Sequence, residues 1–331
     1  MIDEMPGIDG MNPLGWLAAL GVLTLVGGMM YWRQTESGWI PVLERDSETP
    51  LVETLIAKLG IVTAPPIEKR KKGRPKLETA TALKNTVPFG YVLSDPPCDD
   101  FQGNRIVLAT AETLRTALDH SAPADVERIV AHAGIADGGA LDATVVRDLA
   151  AGGQIRYLRV FREIIESVRP EHIEEAIYHW RYRVGPKTSL DPSSDLGNVG
   201  LEITDIGAVS ALGAERLTIE GLRSMPTAPQ GRRLMTRGFS RGANRRWRLR
   251  WFLWEMPLSL DAIRICMGAQ GLHDDDLERI AQWAQAVGIA AVVEAEKYRP
   301  SKMYARLRRS QVLFERLGTT TVTQGRSTQI V

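Results

Sequence analysis

The chain has 331 residues, 44% of them hydrophobic and 24% charged, with 41 Lys and Arg against 40 Asp and Glu. That composition belongs to an ordinary globular protein with enough chain for one large domain or two smaller ones, and it excludes collagenous, low-complexity and disulfide-scaffold classes. Two cysteines, Cys98 and Cys266, support neither a disulfide framework nor a Cys/His zinc site, and point to a reducing, cytoplasmic setting.

Asn12-Pro13 is a helix start, with Asn as N-cap and Pro at the first helical position. The helix runs from Leu14 to about Leu25 and ends at Gly27-Gly28. The uncharged stretch Leu14–Met30 is short for a membrane span, contains four glycines and has no Lys or Arg before it, so it reads as a buried helix. Trp39–Leu43 reads as a strand and Thr49–Leu59 as a helix stopped by Gly60. Val87–Asp100 is a proline-rich turn region. Ala111–His120 and Asp125–Ala133 read as helices, and the glycine-rich Gly134–Gly153 separates them from helices at Arg156–Val168 and Pro170–Tyr182. A loop over Val184–Gly200 and a helix over Ile206–Glu215 follow. Arg237–Leu253 is the clearest strand region, a hairpin turning near Gly242–Asn244, with Trp247, Leu249, Trp251 and Leu253 on one side and Arg248, Arg250 and Phe252 on the other. Ser259–Met267 is a helix capped by Ser259, Asp274–Ala286 a helix with acids in its first turn, and Ala290–Tyr298 a strand. The expected fold is α+β, mostly helical, with a small antiparallel sheet. Its expected divisions are an N-terminal segment 1–62, a basic flexible loop 63–78, a helical region 79–200, an α+β region 201–317 and a disordered tail 318–331.

Positive charge is placed rather than diffuse. Lys69, Arg70, Lys71, Lys72, Arg74 and Lys76 put six cations into eight positions, interrupted by Gly73 and Pro75. Such a run has no apolar face to bury and reads as an exposed loop, either a solvated linker or a DNA contact. Its Gly-Arg-Pro core resembles an AT-hook, in which Arg74 would enter a narrow minor groove. A second cluster holds eight arginines and no acid: Arg232, Arg233, Arg237, Arg241, Arg245, Arg246, Arg248 and Arg250. Arginine interleaved with aromatics suits phosphate and base contact; the competing reading is a charged face compensating Glu255, Asp261 and Asp274–Asp276. A third, weaker cluster is Lys297, Arg299, Lys302, Arg306, Arg308 and Arg309, interleaved with Tyr298 and Tyr304.

Enzyme signals are poor. None of His120, His132, His172, His179 and His273 stands in a metal-ligand spacing, and no P-loop motif occurs. The run His273–Asp276 invites comparison with a phosphohydrolase site, but its acids are explained by helix capping. No catalytic residue, metal or cofactor is expected. A metal-dependent nuclease using Asp191, Asp195 and Asp274–Asp276 stands as the alternative, beside a free-standing AT-hook protein.

Several stretches share a further likeness: Gly10-Met11-Asn12-Pro13-Leu14-Gly15-Trp16 with the helix that follows, Trp180-Arg181-Tyr182 before Asp191-Pro192-Ser193-Ser194-Asp195, Gly213-Ala214-Glu215-Arg216-Leu217, Met225-Pro226, Thr236-Arg237-Gly238-Phe239, and Phe252–Asp261. In this order they resemble the large-subunit-like proteins of type I-G (formerly I-U) CRISPR effectors. Leu196–Gly200 replaces the charged-aromatic run that follows the DPxxD segment in that group, and the basic octamer is not a family feature. The resemblance implies a non-catalytic, DNA-binding subunit of a crRNA-guided, Cascade-type antiviral complex. Its partners would be double-stranded target DNA with its adjacent PAM motif, crRNA-bound backbone subunits and a recruited helicase–nuclease. In such assemblies the guide reads sequence by pairing, while protein reads the short motif and holds the opened strands.

Overall fold

The computed structural model describes residues 1–61, 123, 127, 133–135, 141–150, 157–194, 209–230, 233–242, 244–301 and 304–316. The basic octamer Lys69–Lys76, Arg232, Asp195, the tail from Gly318 and most of the two helices expected between Ala111 and Ala133 lie outside these residues.

Strand β1 (Ile2–Glu4) leads to helix α1 (Pro13–Val26), and a hairpin of β2 (Met29–Thr35) and β3 (Gly38–Glu44) follows. These strands form an antiparallel sheet in the order β1-β3-β2. Helix α1 starts as its sequence dictates: the Asn12 side chain accepts a hydrogen bond from the Leu14 amide at 2.9 Å, and Pro13 occupies the first turn. It ends at Gly27, whose φ of 70° is a left-handed value that favours glycine. Every residue from Pro13 to Leu23 is buried, so a helix apolar on all sides lies at the centre of the protein. Among the described residues no helix is long and apolar enough to cross a membrane.

Next come α2 (Leu51–Leu59), β4 (Ala133–Ile135), β5 (Leu141–Ala143), α3 (Val145–Ala150), α4 (Tyr157–Ser167), α5 (Pro170–Tyr178), β6 (Arg183–Val184) and β7 (Val209–Ser210). Helix α6 (Leu212–Gly221) packs along α1, and α5 and α4 pack on α6. The α1–α6 crossing is close because both helices present glycine at the contact. A Cβ at Gly21 would stand 1.9 Å from the Leu217 carbonyl oxygen, and one at Gly221 would stand 2.0 Å from that of Leu17. The Thr218 hydroxyl donates across the same contact to the Leu14 carbonyl at 3.2 Å.

The remaining elements are β8 (Thr227–Gln230), β9 (Arg233–Thr236), β10 (Phe239–Arg241), β11 (Trp247–Trp254), α7 (Leu260–Met267), α8 (Leu277–Ala286), β12 (Ile289–Ser301), β13 (Tyr304–Leu307) and β14 (Gln311–Glu315). They build a five-stranded antiparallel sheet in the order β10-β11-β12-β13, with β14 also on β12. Three indole N–H groups tie this sheet to the N-terminal unit. Trp16 donates to the Phe252 carbonyl (3.1 Å), Trp251 to that of Gly10 (2.8 Å) and Trp254 to that of Met30 (2.6 Å). Buried indoles need such partners, and these bonds orient α1 against the sheet.

The expectation of a mostly helical chain with one small sheet is corrected: helix and strand share the described chain, and the longest strand, β12, has 13 residues. Three strands account for much of the difference. The chain after Gly27-Gly28, where the sequence reading places no strand, pairs over Met29–Thr35 along its whole length with β3. The proline-rich run after Met225 forms β8, paired with β9 and closed by a Thr227–Thr236 hydroxyl contact of 2.8 Å. The helix expected over Ile206–Glu215 begins only at Leu212, because Val209 and Ser210 pair with β6.

Candidate nucleic-acid interface

The β10–β11 hairpin forms where its sequence places it. Phe239 pairs with Leu249 and Arg241 with Trp247, and the chain reverses through Gly242–Arg246. At the tip Arg245 takes a left-handed φ of 61°, and the Asn244 side chain accepts from the Arg246 amide at 2.9 Å.

The arginines of this hairpin divide sharply. Leu249, Trp251 and Leu253 are buried on one face as the alternation requires. The face bearing Arg248 and Arg250 is covered too, by the turn at Gln270–His273 and the acids that follow it. Arg250 is 1% exposed; its Nε lies 2.6 Å from Glu294 Oε2, and Nη1 donates to the carbonyls of Leu272 and Asp274. Glu294 is its register partner on β12. Arg248 reaches Asp275 and, at 3.5 Å, Glu294. A guanidinium buried against a carboxylate in this way is structural, and removing one member strands the other charge. Arg237 is half-buried beside Arg264; burial and then that like charge hold its pKa below the usual arginine range. Arg233 begins β9.

The tip remains in solvent. The Arg241 guanidinium lies over the Trp247 ring at 4.6 Å, while Arg245 and Arg246 are exposed. Strand pairing then brings the third basic cluster to the same corner. Arg246 Nη1 bonds Glu296 Oε1 at 2.7 Å, and Arg308 Nε approaches the same oxygen at 3.3 Å. Asn244 Nδ2 donates to Glu296 Oε2 at 3.1 Å. Burial opposes the Glu296 charge, but the bonds from Arg246 and Asn244 and the charge of Arg308 outweigh it and lower its pKa. Arg308 lies over Tyr298 at 4.9 Å, with Arg309 exposed beside it. Of the five guanidinium groups Arg241, Arg245, Arg246, Arg308 and Arg309, only Arg246 and Arg308 meet the Glu296 carboxylate. No carboxylate among the described residues pairs with Arg241, Arg245 or Arg309. Within that third cluster Lys297 is buried.

A second constellation gathers residues far apart in the chain. Asp191, 4% exposed, accepts from Asn12 Nδ2 (2.8 Å), the Tyr182 hydroxyl (2.9 Å) and the Ser193 amide (2.9 Å). Trp180 Nε1 donates to the Tyr182 hydroxyl at 3.0 Å. Burial, and next the Asp191 charge, push the Tyr182 phenol above its ordinary range. Trp180 itself has a φ of 46°, a left-handed conformation just beyond the end of α5 where glycine is usual. For a residue with a Cβ this costs about 1 kcal/mol. Nearby, Glu215 is fully buried, and its oxygens meet the Thr188 amide (3.0 Å) and hydroxyl (2.8 Å). Burial is the main cause that raises its pKa, to about 8, against the opposing Thr188 bonds. The stretches Gly10–Trp16, Trp180–Tyr182 and Asp191–Ser194 therefore meet in one hydrogen-bonded node, while Glu215 of Gly213–Leu217 bonds Thr188; the separation of these stretches along the chain hides the meeting.

The described acids among those named for a metal have other work. Asp191 accepts from three donors, Asp276 caps α8 through the Glu278 amide, and Asp274 accepts from the Asp276 amide. Among the described residues no three His, Cys, Asp or Glu side chains form a group able to hold a metal ion. His172 accepts from the Arg169 amide at its helix start, and His273 Nε2 contacts the Met267 carbonyl. Glu296 and the exposed aromatics Tyr178 and Tyr182 were not singled out as site residues from sequence; only the alternation of aromatics with arginines over 178–183 pointed toward the latter.

No protein-family model matches the chain, and no curated protein matches it in sequence.

Proposed function

We propose that this protein is a non-catalytic nucleic-acid-binding subunit of a crRNA-guided surveillance complex of the Cascade type. It contacts target duplex and the opened strands while backbone subunits hold the guide RNA and a separate helicase–nuclease cuts. The observation that carries the reading is the merging of two sequence-distant basic clusters around Glu296 into one exposed corner, layered with Trp247 and Tyr298. Arginine is suited to this work because its planar fork grips phosphate oxygens and stacks on bases. The node at Asp191 adds support of a different kind, since it unites segments on which the family resemblance rests. A cytoplasmic setting goes with this role.

Within the reading, Arg241, Arg245, Arg246, Arg308 and Arg309 are the contact set, whereas Arg248 and Arg250 hold the sheet together. The octamer Lys69–Lys76 is a second arm on the duplex, with Arg74 in the minor groove. The test is the triple variant Arg241→Ala, Arg245→Ala, Arg309→Ala, titrated on target duplex at several salt concentrations. Each phosphate contact contributes about −0.9 to the slope of log K against log salt, so the slope should become shallower by about 2 to 3. Unchanged affinity with an unchanged slope refutes the role of the corner.

A further inference from the structure

The run Tyr178–Val184 is largely exposed, with only Trp180 packed against the core. Tyr178 is 39% and Tyr182 37% exposed, and His179 between them also faces solvent. Arg181 and Arg183 alternate with these rings, and no acid lies within the run. Both guanidiniums turn to the carboxylate of Glu175 on α5, and the Glu171 charge acts on Arg183 as well.

The run is held rigidly although it is exposed. Gly7 donates its amide to the Ile177 carbonyl at 2.8 Å, and a Cβ there would come within 2.6 Å of the His179 nitrogen and 2.8 Å of the Tyr178 carbonyl carbon. The N-terminal segment is therefore pressed against the end of α5. On the other side the chain Trp180–Tyr182–Asp191–Asn12 fixes both aromatic rings by side-chain hydrogen bonds. An ordered aromatic surface spares a ligand the entropy of arranging it.

Two hydrogen bonds tie the segments that flank and support this surface to the chain on either side of Arg308 and Arg309. The Leu307 amide donates to the Ser189 carbonyl at 3.4 Å, joining the loop after Tyr182 to the strand that leads into Arg308. The Ser310 hydroxyl donates to the Met11 carbonyl at 2.6 Å, one residue from the Asn12 that bonds Asp191.

Resting on the nucleic-acid reading above, we propose that Tyr178–Val184 is a second contact site, a stacking platform for the unpaired bases of a single strand that leaves the basic corner. Aromatic rings interleaved with arginine suit this ligand, because every base offers a π-face and the guanidinium can meet the backbone. A duplex, with its bases already stacked, gains little from such a surface.

The experiment measures binding of the full chain to a fluorescein-labelled oligothymidylate and to a duplex of equal length, by anisotropy, for Tyr178→Ala, Tyr178→Phe and the corner triple variant. Tyr178→Ala should weaken single-strand binding about fivefold or more and leave duplex binding unchanged. Tyr178→Phe should bind as the native chain does. If Tyr178→Ala binds the single strand normally while the corner variant is impaired on both ligands, the platform is overturned and the corner survives. If the native chain binds neither ligand, both proposals fall. Loss of partner subunits with unchanged single-strand affinity makes the run a protein-docking surface and overturns the platform. Photocrosslinking of the native chain to a thiothymidine oligomer guards against a folding defect in the variant: adducts on Tyr178, His179 or Tyr182 support the platform, and adducts confined elsewhere reject it.

Discussion

Replacing Glu215 by glutamine tests whether the buried carboxyl keeps its proton in the folded protein. Burial lifts its pKa from an ordinary 4.5 to about 8, so between those values the unfolded chain releases a proton that the native chain retains. Unfolding then becomes easier as pH rises: the unfolded state binds fewer protons, and stability falls by about 1.4 kcal/mol per pH unit. From pH 5 to pH 7 the loss is about 3 kcal/mol, and it levels off above about pH 8, where the native carboxyl also ionises. In Glu215→Gln the amide oxygen can still accept from the Thr188 amide, and the amide nitrogen can donate to the Thr188 hydroxyl, but nothing titrates. His172 and His273 act in the opposite sense, because burial holds their pKa values low and stability rises as pH passes through their range. They are common to both chains and cancel in the difference. Urea denaturation of native and variant chains at pH 5, 6, 7 and 8 reads that difference directly. The native chain should lose ground to the variant steadily with rising pH. Parallel profiles would refute the argument, and would mean that Glu215 is ionised in its pocket.

Two further predictions probe the packing that sets up the site. Gly21→Ala drives a methyl group into the Leu217 carbonyl and should destabilise the protein by about 2–3 kcal/mol in the same denaturation assay; a neutral result would show that α1 and α6 are not in such close contact. Arg250→Ala leaves the Glu294 carboxylate buried without its main partner and should cost about 3–5 kcal/mol, whereas Arg250→Met with Glu294→Leu should recover most of that loss. If the double variant is no more stable than the single one, the pair does more than neutralise itself.

Local signals in this chain were legible where they rest on one or two adjacent residues. The Asn12-Pro13 start, Gly60 as a left-handed stop, the Ser259 cap and the turn of the arginine hairpin all stand as their chemistry requires, whereas the helix expected from Asp274 begins only at Leu277, with Asp276 as its N-cap. Helices α4 and α5 also appeared close to their expected positions, though α5 stops at Tyr178, four residues early, where Trp180 takes a left-handed φ. What failed was inference about faces. Alternation along Trp247–Leu253 correctly separated two sides of a strand but left open what covers each side.

The sequence alone determined the buried α1 helix, the hairpin and the location of positive charge along the chain, because these follow from hydrophobic patterning, capping chemistry and the run of arginines. Only the tertiary structure decided which arginines are available. Pairing of β11 with β12 sets Glu294 opposite Arg250 and brings Glu296 between Arg246 and Arg308. The inner arginines are thereby neutralised and an outer group is left in water. A guanidinium in low dielectric must find a carboxylate, whereas one at a hairpin tip can stay hydrated. That difference is a property of neighbours distant in sequence, so it emerges only when the sheet closes.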